Sequence, residues 1–62
     1  MVASFSDDEK TILYGQSSKL ASKHGCSSKY VKYIINGQRE INFPLAKKIY
    51  TDLLALIQLL SA

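Results

Sequence analysis

Gly25 is the residue that most limits what this chain can fold into. Before it, Leu20 and Ala21 are apolar; after it, Val31, Ile34 and Ile35 recur three to four residues apart and share one helix face. Glycine tolerates positive φ just past a helix end, so two short helices are expected to meet here at a sharp turn. Lys23 and His24 fall in the last turn of the first helix, where they complement its dipole. Ser27 is a good cap for the second, which should run to about Asn36. Asn36-Gly37 is a second stop signal. Ala21 lets the two helices approach closely, and Cys26 is expected to plug the elbow as a small hydrophobe.

The flanking segments are also helical. Ser6 with Glu9 fits a capping box, and Asp7, Asp8 and Glu9 then occupy a first turn, where a helix favours acids. Ile12, Leu13 and Tyr14 supply the apolar side of this helix, and Gly15 is expected to end it. The next helix should start near Gln16 or Ser17. Gln38 to Asn42 reads as a polar loop holding one apolar residue, Ile41. Pro44 suits the first turn of a last helix, about residues 44–60. Its stripe of Ala46, Ile49, Leu53, Ile57 and Leu60 should seal the core, with Leu45 and Leu56 beside it. The expected fold is all-α: one compact four-helix domain over residues 1–62, with a helix-turn-helix at about 16–37 formed by helices 2 and 3.

Composition narrows the function. A chain of 62 residues has no room for separate substrate and cofactor domains. It buries only ~60% of its unfolded surface, so its core is marginal. One cysteine excludes an internal disulfide framework and a Cys-based structural zinc site. The most apolar stretch, Leu53 to Leu60, is far short of the ~20 residues of a bilayer span, so no membrane partner is expected. A lone thiol and an opening that is not a basic, apolar signal peptide point to the cytoplasm. The net charge of +3 is unevenly spread. Residues 1–15 hold Asp7, Asp8 and Glu9 against Lys10, whereas residues 16–39 hold Lys19, Lys23, Lys29, Lys32 and Arg39 with no acid. A one-signed segment in an otherwise balanced chain suggests a polyanion partner; a solvated lysine-rich face is the plainer alternative.

The run from Leu20 to Arg39 strongly resembles the lambda-repressor/Cro-type helix-turn-helix family, also called the XRE family. That family typically reads L-A-x-x-x-G-V-S-x-x-x-V-S-x-x-L-x-G. Leu20, Ala21, Gly25, Ser27, Val31, Ile35, Asn36 and Gly37 match in order and spacing, with Cys26 in place of Val and Lys32 in place of a common Ser. The resemblance covers roughly residues 16–50. The family usually has a longer first helix and often a fifth one.

The resemblance implies double-stranded DNA as the partner. Base contacts would come from Ser28, Lys29, Lys32 and Tyr33 at the start of the second helix of the motif. Phosphate contacts would come from Gln16 and Ser17, aided by free backbone N–H groups, and from Tyr30, Asn36, Gln38 and Arg39. The Gln that the family carries near that point falls at Ser17. Packing is the alternative role for Tyr30 and Tyr33, and helix capping for Asn36. Lys23, Lys47 and Lys48 read as solvated lysines, and Lys19 stands evenly between that role and a phosphate contact.

The last helix is more apolar than one core-facing stripe requires. Tyr50, Leu54, Leu59 and Leu56 are the surplus, and exposed apolar surface of this kind marks an interface. A symmetric dimer through this helix would set two reading helices ~34 Å apart, as palindromic half-sites require. A missing fifth helix or a larger parent protein is the other way to cover that face. The expected function is therefore a small dimeric transcriptional regulator, a repressor by preference. The alternative is a protein-interaction module on the same fold, an antitoxin or anti-repressor adaptor that uses the apolar last helix. No cofactor is needed. His24 and Cys26 are too few for a metal site, and no catalytic constellation is present, so an enzyme is not expected.

Overall fold

A computed structural model describes residues 1–61. It contains α1 (Asp7–Tyr14), α2 (Ser17–His24), α3 (Ser28–Ile35) and α4 (Pro44–Ser61), and no strand among the described residues. All four helices pack around one core, with α2 and α3 in close mutual contact and α4 crossing the other three.

Local chemistry sets the boundaries. The Ser6 hydroxyl accepts from the Glu9 N–H and the Glu9 carboxylate accepts from the Ser6 N–H, which completes the capping box. α1 and α2 are separate helices. Gly15 stays right-handed at φ −66° and the chain turns through Gln16, whose N–H donates to the Leu13 carbonyl. At the end of α2, Gly25 takes the left-handed region, φ 69°. The Ser27 hydroxyl caps α3 by accepting from the Tyr30 N–H. α3 closes with the Gly37 N–H on the Ile34 carbonyl and the Gln38 N–H on the Tyr33 carbonyl, the paired bonds of a Schellman motif around a left-handed Gly37 at φ 74°.

The core comprises Leu13, Leu20, Ala21, Val31, Ile34, Ile35, Ala46, Ile49 and Leu53, together with Ala3 and Ile41. The last two come from segments without helical periodicity. The Ile41 N–H donates to the Met1 carbonyl (2.7 Å), and the Met1 ammonium pairs with Glu40 at 2.6 Å. The segment before α1 thus lies along the α3–α4 loop. A Cβ on Gly37 would stand 2.8 Å from the Ala3 carbonyl oxygen, so this glycine is required by space as well as by φ.

The apolar side expected for α1 is buried at Leu13 alone, with Ile12 and Tyr14 exposed, and two assignments on α4 differ as well. Ile57 is only half-buried and Leu60 is 49% exposed, although both continue the stripe of Ile49 and Leu53. Length is the reason. At ~1.5 Å per residue α4 runs ~27 Å, against ~12 Å for each of the other helices. Its last turns overrun what α1 to α3 can cover. No described helix is long and apolar enough to cross a membrane.

Candidate nucleic-acid interface

α3 is two-faced. Val31, Ile34 and Ile35 are fully buried, which pins one side to the core. Lys29 and Lys32 are exposed on the other, with Ser28 and Tyr33 half-buried between them and the core. Lys29 Nζ lies 5.7 Å from the Tyr33 ring centroid. Arg39 Cζ lies 5.5 Å from the same ring, carried there by the turn after Gly37. The ring therefore gathers two cations at one end of α3, an arrangement favourable by cation–π attraction.

Of the acids, only Glu40 stands near this surface, beside Arg39 and Tyr30. Asp7, Asp8 and Glu9 sit in the first turn of α1. Glu40 pairs with the Met1 ammonium, and Asp52 pairs with Lys23 and His24. Among the described residues Lys19, Lys29, Lys32 and Arg39 form no ion pair. The α3 face therefore keeps an uncompensated positive field.

The other expected DNA contacts are placed unevenly. Gln16 is half-exposed at the head of α2, where no side chain caps the helix and no acid occupies the first turn. Ser17 lies inward. It is 2% exposed, and its hydroxyl donates to the Tyr14 carbonyl at 2.9 Å, closing the α1–α2 turn. Asn36 caps α3, and its Oδ1 accepts from the Tyr14 hydroxyl, so half of its amide is already committed. Tyr30 packs on the core and lines, with Gln38, Arg39, Glu40, Asn42 and Phe43, a recess of about 290 Å³ beside α3. Phe43 and Asn42 were not expected there, and Phe43 is exposed.

A second cluster joins α2 to α4. His24 Nε2 donates to Asp52 Oδ2 at 2.7 Å, and Lys23 Nζ reaches the same oxygen at 3.0 Å. The Lys23 hydrogen bond, then that from His24, holds the Asp52 carboxyl below its ordinary range. The sequence pairs Lys23 and His24 only with the dipole of α2, because nothing local links them to a residue far along the chain. No group of three His, Cys, Asp or Glu side chains suited to a metal comes together among the described residues.

The four residues expected at a dimer interface do not form one patch. Tyr50 is half-buried against Phe5, ring centroids 6.1 Å apart, and Leu56 is half-buried too. Leu54 is 42% and Leu59 74% exposed. At ~100° per residue, Leu54 and Leu59 point ~140° apart around α4. Tyr50 and Leu54 share one side; Leu56 and Leu59 share another and line, with α2, a groove of about 340 Å³. Comparison of the chain with family models, with curated proteins and with solved structures returns no match.

Proposed function

We propose that this protein is a sequence-specific double-stranded DNA-binding regulator, a repressor by preference, of the lambda-repressor/Cro helix-turn-helix type. One observation carries the reading. α3 buries one face completely and presents, on the other, the exposed Lys29 and Lys32, with Lys29 and Arg39 drawn to the Tyr33 ring and the one nearby acid, Glu40, held by the Met1 ammonium. A helix held in this way is suited to a major groove, which is ~12 Å wide and admits one helix.

In this mechanism Lys29 and Lys32 reach guanine O6 and N7, Ser28 reaches either base type, and Tyr33 offers its ring to a thymine methyl. Arg39, Gln38 and Tyr30 flank the groove and hold phosphates, and the uncapped head of α2 at Gln16 holds another through backbone N–H groups. The dimer that doubles the contact uses the Tyr50–Leu54 side of α4 and its overrunning end at Leu60. A protein-interaction role is the second reading, favoured by the separate groove that Leu56 and Leu59 line with α2.

The test is selection from random duplex DNA at two salt concentrations. An enriched inverted repeat, with specific binding ~10³-fold or more above non-specific, supports a dimeric operator reader. Salt-sensitive retention without enrichment reduces the claim to a basic surface. No retention at low salt overturns it.

A further inference from the structure

The groove between α2 and α4 has a floor of apolar side chains and, among the described residues, one unpaired charge, that of Lys19, on the α2 side. Leu20, Ala55, Leu56 and Leu59 make its apolar surface. Lys19 and Lys23 stand along the α2 wall. On the α4 wall the one ionisable group is Asp52, already held by Lys23 and His24. From Leu53 to Ser61, α4 carries no charged residue at all. Lys19 is exposed and forms no ion pair among the described residues.

We propose that this groove docks an amphipathic helix of a partner protein, one that carries a stripe of Leu-like side chains and acids along a single flank. The apolar stripe fills the floor, as helix-in-groove recognition requires. The acids lie against Lys19, the groove cation that no acid pairs among the described residues, since Lys23 is already held by Asp52; the opposite flank is neutral because an acid there would meet the Asp52 carboxylate. This one-sided charge sets the direction in which the helix lies. Gln16 and Lys19 line the same groove, so the occupant covers the head of α2. Resting on the DNA-binding reading, the docked helix then competes with the DNA backbone for that end of the protein, and the groove is a regulatory site.

The experiment uses the full chain and a synthetic amphipathic helix of about 14 residues, with Leu on one stripe and Glu along one flank. The same peptide with Lys for Glu is the comparison. Titration by fluorescence anisotropy without DNA should show saturable binding of the Glu peptide alone. Leu59→Glu should weaken it at least about tenfold, Lys19→Glu should weaken it severalfold, and Gln58→Glu, exposed on α4 outside the groove, should leave it unchanged. Circular dichroism checks that each variant stays helical, and Leu59 is exposed enough that folding should survive the change. Binding of neither peptide, or equal binding of both, overturns the proposal. So does a dimer of the protein alone that Leu59→Glu dissolves and Leu54→Glu does not, because a second copy then fills the groove. A final titration adds the Glu peptide to the protein on a selected operator. Release of the DNA supports the regulatory role, whereas peptide binding with unchanged DNA affinity overturns that role and leaves the docking site. Peptide binding by a chain that retains no duplex would sink the DNA reading alone.

Discussion

α3 and α4 are both amphipathic, yet they stand differently in the molecule. α3 has eight residues, and its apolar face is buried from end to end. α4 has eighteen, and its apolar stripe is buried through Leu53 and then emerges at Leu56, Ile57 and Leu60. The two faces have the same period. They differ in what lies opposite. α3 is enclosed by the other three helices, and α4 outruns them. Periodicity says which side of a helix seeks burial, and the length of its neighbours says where burial stops.

The largest effect should come from truncating the enclosed face. Ile34→Ala should cost about 2–5 kcal/mol. For a domain whose total stability is of order 3–9 kcal/mol, that approaches or reaches unfolding. Leu60→Ala, at the same apolar phase of α4, should cost below about 1 kcal/mol because its site is already half in water. Urea denaturation of both variants measures the gap, and equal losses would break the contrast between the helices.

The glycines sharpen it next. Gly37→Ala should destabilise by more than about 1 kcal/mol, since it meets both a left-handed φ and the Ala3 carbonyl. Gly25→Ala has the same sign of φ and open space around it, so its cost should be near 1 kcal/mol. Gly15→Ala, right-handed and uncrowded, should be neutral or stabilising by up to about 1 kcal/mol. Thermal melts of the three would rank them, and any other order would contradict the geometry.

On the solvent side of α3, Lys29→Ala and Lys32→Ala should leave stability within about 0.5 kcal/mol. Each should weaken DNA binding, and a lysine that reads a base should also relax specificity at one position by about 1–3 kcal/mol. A lysine on phosphate would instead lower the salt slope by about 1 without altering sequence preference. Repeating the selection with each variant separates the two roles.

The smallest effect is the one between α2 and α4. The Asp52 carboxyl titrates lower folded than unfolded, so the native state binds fewer protons in that range. Its contribution is present above the ordinary value of 3.8 and is lost as pH falls through the lowered one. Partly exposed pairs of this kind are worth about 0.2–1 kcal/mol. Asp52→Asn should therefore reduce stability slightly at pH 7 and flatten the loss below pH 4. An unchanged acid limb would show that the cluster contributes nothing.

Much of the frame was legible because it depends on near neighbours in the chain. Ser6 with Glu9, Ser27, Gly25 and Asn36-Gly37 mark boundaries that the structure reproduces, since capping bonds span three or four residues. Val31, Ile34 and Ile35 announce the buried side of α3 for the same reason. The candidate surface was legible in part. The absence of acid from residues 16–39 singled out α3, but Ser17 looked available for phosphate and is buried, because its hydroxyl serves a turn formed by two helices meeting.

What the amino-acid order determined by itself was therefore local: four helices, their ends, the inward side of α2 and α3, and the placing of charge. Tertiary structure alone decided the rest. It buried Ala3 and Ile41 through contacts between distant segments, joined His24 and Lys23 to Asp52, and aimed Tyr14 at Asn36. It also divided the apolar surplus of α4 into two surfaces. Helical period and capping are read within one turn of the backbone, but which face stays uncovered depends on where other helices end in space.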